Sequence, residues 1–151
     1  MSKTGSNIFV VTQKDNGKLD ILIDGDTALR EYEKWIKDDE KTKTENVSSV
    51  NIRNIKSEMF PLSIIQLENT ENLIIENFEN MNRLASYIHS LDHLKNLYIK
   101  NCKNLDTITS PHSSDGWFKS IESVTIEGCN KLKDDKGARP ANRGYKYMVI
   151  H

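Results

Sequence analysis

Several groups of side chains in this chain have residue types and spacings that chemistry would need. His89 and His93 stand at i and i+4, a separation that on a helix turns two imidazoles to one side and suits Zn²⁺. No third ligand is in sight and the Glu of His-Glu-x-x-His is missing, so exposed helix histidines account for the pair. His112, Ser113, Ser114 and Asp115 supply the residue types of a nucleophilic triad. Such triads converge from separate parts of a chain, which four neighbours on one loop do not reproduce. At the C-terminal end Lys131, Lys133, Lys136, Arg139, Arg143 and Lys146 outnumber Asp134 and Asp135. With Tyr145 and Tyr147 among them, that segment has the composition to touch phosphates and stack on bases. A solvated chain end explains the same charges, and contact with an acidic protein is the remaining option.

A fourth group is the apolar run Ile21-Leu-Ile ending in Asp24-Gly-Asp26-Thr27. It resembles the nucleophile and acid pair of haloacid-dehalogenase-type phosphatases. The resemblance implies that Asp24 attacks phosphorus and Asp26 protonates the leaving group, around an oxygen-bound Mg²⁺. Two features depart from that pattern. Thr27 follows Asp26 without the usual intervening residue, and the rest of the chain offers repeats where that family needs a large parallel sheet. A strand, a turn and a helix cap at Asp26 or Thr27 account for the same residues. No enzymatic activity and no cofactor are therefore expected, and a small Mg²⁺-dependent phosphohydrolase is the last alternative.

The elements that must position these groups are set by a repeat. Leu94-x-x-Leu97-x-Ile99-x-x-Cys102-x-x-Leu105 and Ile121-x-x-Val124-x-Ile126-x-x-Cys129-x-x-Leu132 agree at every apolar position, 27 residues apart. Thr70-x-x-Leu73-x-Ile75-x-x-Phe78-x-x-Met81 precedes them by 24 residues, and Val47-x-x-Val50-x-Ile52-x-x-Ile55 by a further 23. A unit of this length cannot bury its own apolar face and must stack on a neighbour. The string resembles the leucine-rich repeat family in its cysteine-containing form, over about four repeats spanning residues 47–132. Phe78 and Ile55 stand where that pattern has the Asn or Cys that bonds to backbone on the bend. The resemblance implies an α/β fold, a short solenoid with a curved parallel sheet, used mostly as a binding scaffold. Strands are expected near Ile52, Ile75, Ile99 and Ile126. Cys102 and Cys129 fall at equivalent places in adjacent units, and stacked strands lie about 4.8 Å apart, within reach of a disulfide. Two buried thiols filling space and donating weakly to the turning backbone are favoured over a disulfide, and a disulfide over a metal.

Before the repeats, residues 8–12 and 19–23 read as a hairpin around a turn-rich segment, Lys14 to Lys18. A helix from Ala28 to Lys37 follows, with Leu29, Tyr32, Trp35 and Ile36 on one face. This hairpin and helix would cap the first repeat. The polar stretch from Asp38 to Asn46 reads as a solvated linker. Within the repeats, Met81 to Asp92 is expected to form a helix on the convex side, while residues 106–120 form a loop returning Trp117 and Phe118 to the core. Lys133 to Gly144 is charged and turn-rich, and Tyr145 to Ile150 reads as a closing strand. The division is one domain: an N-terminal cap and linker at 1–46, repeats at 47–132 and a C-terminal cap at 133–151.

Composition narrows the function class. The chain has 151 residues and a formal charge of −1, which implies neither a global nucleic-acid cloak nor a strongly acidic mimic. Charged residues make up 28% and hydrophobic ones 36%, a balance suited to a fold with much surface for its core. No segment approaches the run of about 20 apolar residues that spans a membrane, and no signal-peptide core is evident. A cytoplasmic protein without membrane contact is the expectation. The abundant Asn and Lys fit an AT-rich coding sequence, as in many bacteria, phages and viruses. In a stacked sheet the outward strand positions align into columns: Asn51, Ile74, Tyr98 and Thr125, then Arg53, Glu76, Lys100 and Glu127. An exposed Ile and Tyr ringed by alternating charge is the composition of a protein-binding hot spot with a polar rim. Another protein is thus the expected partner. Nucleic-acid contact through Lys136, Arg139, Arg143 and Lys146 is the alternative, and an ordinary sheet surface with cross-strand pairs such as Glu76 and Lys100 is the plain account.

Overall fold

Alternation of apolar and polar residues over five to seven positions makes strands of the segments that carry it. The computed structural model describes residues 7–38, 40–84, 88, 90–108, 120–132 and 146–150. The elements run β1 (Ile8–Gln13), β2 (Leu19–Asp24), α1 (Asp26–Lys37), α2 (Glu40–Asn46), β3 (Val47–Arg53), α3 (Leu62–Ile65), β4 (Asn72–Glu76), β5 (Arg83–Leu84), β6 (Asn96–Lys100), β7 (Thr107–Ile108), β8 (Ser123–Glu127) and β9 (Lys146–Ile150). Seven of the strands form one mostly parallel sheet in the order β1-β2-β3-β4-β6-β8-β9. Among the described strands of this sheet only the β1–β2 hairpin is antiparallel. The chain is a mixed α/β fold with few helices.

The sequence copies lie side by side in register. Val50, Leu73, Leu97 and Val124 are direct neighbours, as are Ile52, Ile75, Ile99 and Ile126. All eight are buried. Ile21 and Ile23 of β2 begin the same two rows. Behind the sheet a further layer closes the core, with Ile55, Phe78, Cys102 and Cys129 one turn on and Met81, Leu105 and Leu132 beyond them. Stacking equivalent side chains in this way removes from water the apolar stripe that one unit leaves open.

A second column sits at the strand ends. Gly25, Asn54, Asn77, Asn101 and Gly128 each follow a buried isoleucine by two residues, and all have positive φ, at 103°, 60°, 56°, 53° and 71°. Positive φ is open to Gly and, at about 55°, tolerated by Asn, and it turns the chain sharply off the strand; Gly25, with ψ at 160°, lies where only Gly is at ease. The freed N–H groups point sideways. Gly25 donates to the Arg53 carbonyl, Asn54 to Glu76, Asn77 to Lys100 and Asn101 to Glu127, at 2.8 to 3.1 Å.

The N-terminal cap is built on aromatic contact. Tyr32 of α1 is fully buried and donates its hydroxyl to the Ser63 carbonyl at 2.7 Å. Phe9 of β1 meets the edges of Tyr32 and Trp35 at 6.0 and 5.5 Å. The helix starts at Asp26 rather than Ala28, and Gly25, not Asp26 or Thr27, takes the N-cap position, without a side-chain cap. A β-carbon on Gly25 would collide with the Asn7 amide.

Two segments differ from the reading of the sequence. Asp38 to Asn46 is not a linker throughout, because Glu40–Asn46 forms α2. Lys43 holds it to α1, donating to the Trp35 carbonyl at 2.6 Å while its ammonium lies 4.5 Å from the centre of the Trp35 ring. Met81 to Asp92 is not one helix, because Arg83–Leu84 pairs as a short parallel strand with Thr107–Ile108. Leu84, Ile88 and Leu91 are nonetheless buried. The loop expected over 106–120 contains that strand, and residues 109–119, with Trp117 and Phe118, lie outside the described residues, as do residues 133–145. The expected closing strand is present as β9, parallel to β8.

The turn column yields a stability prediction. A β-carbon on Gly128 would overlap the Asn101 amide, whereas one on Gly17, also at positive φ, would meet nothing within 4 Å. Gly17→Ala should cost about 1 kcal/mol from backbone strain alone. Gly128→Ala should cost more, up to about 3 kcal/mol. Denaturant melts of the two variants measure the difference, and equal midpoints would show that Asn101 does not occupy that space.

Candidate functional site

The outer face of the sheet carries the side chains that the core leaves free. All eight outward residues singled out from the sequence share it: Asn51 and Arg53 on β3, Ile74 and Glu76 on β4, Tyr98 and Lys100 on β6, Thr125 and Glu127 on β8. Each is half-buried between its neighbours. They form two rows, with Asn51, Ile74, Tyr98 and Thr125 in one and Arg53, Glu76, Lys100 and Glu127 in the other.

A third row was not read from the sequence. At the strand starts Asn72 donates to the Ser49 hydroxyl at 3.0 Å, Asn96 to the Asn72 carbonyl oxygen at 2.7 Å, and Ser123 to the Asn96 carbonyl oxygen at 2.8 Å. This chain of side-chain hydrogen bonds crosses four strands and fixes one margin of the face.

At its β6–β8 end the face is tied internally. Tyr98 donates its hydroxyl to Glu127 at 2.6 Å, and the Lys100 ammonium stands 5.3 Å from the centre of the Tyr98 ring. The hydrogen bond to Glu127 is the main cause holding the Tyr98 phenol above its ordinary range, with desolvation and the charges of Glu127 and Glu76 adding to it. The cross-strand pair expected between Glu76 and Lys100 is present as direct neighbours in register.

Toward β1 the face opens. A groove of about 350 Å³ is lined by Val10, Leu22 and Ile74 on its apolar side and by Thr12, Asp20, Asn51, Arg53 and Asn72 on its polar side. That volume lies at the small end of the range for ligand clefts, roughly 300 to 1,000 Å³. Short Ser49 and Asn51 on β3 lie between larger side chains on β2 and β4, which leaves the depression. Asn51 Oδ1 is enclosed there, with no hydrogen-bond partner among the described residues. Arg53 is held at the end of the groove by its Nε bond to Asp24 at 3.1 Å. Val10, Thr12, Asp20 and Leu22 were missed because the hairpin was read only as a cap. Their signal was the alternation Asp20, Leu22, Asp24 in β2, which continues the outward phase of the repeats.

The carboxylates weighed for phosphoryl transfer have structural partners. Asp24 is buried, accepts from the Asn54 amide at 2.7 Å and pairs with Arg53. Both oxygens of Asp26 face the Lys56 backbone N–H at 3.3 Å. Cys102 and Cys129 are free and buried, each 3.6 to 3.7 Å from the carbonyl two residues back, the distance of a weak thiol bond. Hydrogen bonding between the two sulfurs, followed by burial, pushes the Cys102 thiol well above its ordinary range. His93 is exposed, while His89 and the group His112 to Asp115 lie outside the described residues. So do Lys136, Arg139 and Arg143, and of Lys146 only the backbone, in β9, is described. Among the described residues, no three His, Cys, Asp or Glu side chains are placed to hold a metal ion, and no helix is long and apolar enough to cross a membrane. Comparison with known proteins finds no matching family model, no similar curated protein and no similar solved structure.

The tie across β6 and β8 is testable. Glu127→Ala should move the Tyr98 titration toward lower pH, because the phenol loses an acceptor that favours its protonated form and a nearby negative charge. NMR titration of the Tyr98 ring measures this, and an unchanged midpoint would remove the Glu127 bond as the cause.

Proposed function

We propose that the chain is a non-catalytic protein-binding module, an adaptor or inhibitor, acting in the cytoplasm through the outer face of a short leucine-rich-repeat solenoid. The repeat string over residues 47–132 and the in-register strands support that family, and in a solenoid this outer face is the concave one. One observation carries the functional reading. A groove walled by Val10, Leu22 and Ile74 opens on the same face as Tyr98, Arg53 and the alternating charges Glu76, Lys100 and Glu127. Apolar anchors within a polar and charged rim are what a protein interface uses, with the centre supplying affinity and the rim steering encounter.

The rest of the face fits a rigid receptor. The row of side-chain hydrogen bonds at the strand starts and the Tyr98–Glu127 bond hold their residues in place before any partner arrives, which lowers the ordering cost of association. Asp24 and Asp26 spend their oxygens on Asn54, Arg53 and the Lys56 backbone, which favours a structural role for both.

Affinity capture from the native host, followed by titration of the captured protein against variants, tests the reading. Ile74→Asp should weaken the partner by about 2 kcal/mol or more, as truncation or poisoning of an anchor does. Arg139→Ala with Arg143→Ala should leave affinity nearly unchanged, and added salt should reduce it only mildly, in contrast to the steep loss that counterion release gives. Normal binding by the Ile74 variant together with loss in the tail variant would overturn the proposal in favour of the basic C-terminal segment.

A further inference from the structure

The seven-stranded sheet has an open edge at β1. β1 is last in the strand order and pairs only with β2, so along its other side a row of backbone N–H and C=O groups lacks a strand partner among the described residues. Proteins blunt such edges with charges, proline or a bulge, since an open edge is a template for another strand. Ile8-Phe-Val-Val-Thr-Gln13 has neither charge nor proline, and its pairing with β2 runs without a bulge. Exposure is concentrated here. Ile8, Val10 and Val11 are 42%, 40% and 37% exposed, three of the five large hydrophobic residues left open among the described ones.

We propose that β1 pairs antiparallel with β1 of a second copy, about a twofold axis at Val10, joining two sheets edge to edge. Self-pairing suits this strand because an antiparallel partner presents its own sequence reversed. A twofold normal to the sheet keeps the faces matched, so residues of the same face meet. Val10 then opposes Val10 of the second copy, Ile8 opposes Thr12, and Phe9 opposes Val11. Over residues 8–12 each cross-strand pair is apolar, or apolar with threonine, and no like charges meet. The nearest charge in sequence, Lys14, is turned to Asp20 at 3.3 Å, and the formal charge of −1 sets no long-range repulsion between copies.

The pairing also joins the grooves. Val10 and Thr12 line the groove on the outer face, so the two grooves of a dimer meet across the axis as one trough. This does not depend on what the outer face binds. One strand pair with its flanking side chains buries less than the roughly 1,000 Å² of a firm interface, so the dimer forms with rising concentration.

Sedimentation of the full chain over a wide concentration range tests the proposal. The mass should rise from one chain to two and stop there. Val11→Lys, at an exposed position facing away from the groove, should remain a single chain throughout while keeping the wild-type circular dichroism. Directly opposed residues in an antiparallel pair have Cα atoms about 4.5 to 5.5 Å apart, within disulfide range. With oxidised glutathione supplied, Val10→Cys should therefore crosslink readily to a dimer, and Thr12→Cys should crosslink at least tenfold more slowly. Should Val11→Lys fail to fold, the two cysteine variants decide. A single-chain mass at every concentration would overturn the proposal, leaving the edge to a different partner. Growth beyond two copies, a Val11→Lys dimer, or equal crosslinking at positions 10 and 12 would overturn it as well.

Discussion

Each strand of the repeated region ends on a residue that must adopt positive φ, and the stacking of the molecule follows from what occupies that place. Asn54, Asn77, Asn101 and Gly128 turn the chain off the sheet, and the three asparagines aim a backbone N–H at the next strand's last carbonyl. Asparagine adds a second bond. Asn77 donates its amide to the Asn54 side chain, and Asn54 donates to Asp24. The column begins at Gly25 against Asn7 and ends at Gly128 against Asn101, where glycine leaves room for the neighbouring amide. Strand spacing, register and the point of exit are thereby set together, and the isoleucine two residues earlier is committed to the core.

With the inner side fixed, the outer face becomes a consequence of parity. Side chains alternate along a strand, so burial of Val50 and Ile52 commits Ser49, Asn51 and Arg53 to the outside, and each later strand repeats the division. The margin formed by Ser49, Asn72, Asn96 and Ser123 then closes the strand starts much as the left-handed column closes the ends. Between these two ladders lies a face whose middle row is free to vary. Small residues on β3 give the groove, and Tyr98 on β6 gives a fixed aromatic ridge. Asparagine appears in other turns as well, with Asn80 donating to the Lys56 carbonyl and Asn69 to that of Glu45. An abundance that fits an AT-rich coding sequence thus has a structural use at many positions.

The sequence revealed the strands because two periods coincide, an alternation within each copy and a spacing of 23 to 27 residues between copies. The eight outward residues followed from parity alone. The left-handed column was equally present as Ile-x-Asn or Ile-x-Gly, at Ile52, Ile75, Ile99, Ile126 and Ile23, but hydrophobic spacing carries no information on φ. Polar α2 was hidden for a related reason: it has no apolar face, and Lys43 anchors it through a carbonyl and the Trp35 ring. Leu84, Ile88 and Leu91 have helical spacing, yet in the structure the chain extends at Arg83–Leu84 to pair with Thr107–Ile108. Spacing alone reported their burial correctly and their conformation incorrectly. The groove needed β1 and β2 to be counted as part of the face, which only the parallel pairing of β2 with β3 makes plain.

The central claim is that positive φ at the strand ends, supported by the asparagine amides, fixes how the units stack. Equilibrium unfolding of Asn77→Gly and Asn77→Ala separates the backbone requirement from the side-chain bond. Glycine keeps the left-handed turn and loses only the amide, so Asn77→Gly should stay within about 1 kcal/mol of the parent. Alanine loses the amide and strains the turn, and should be less stable than the glycine variant by a further 1 kcal/mol or so. An alanine variant as stable as the parent, or more stable than the glycine variant, would contradict the account.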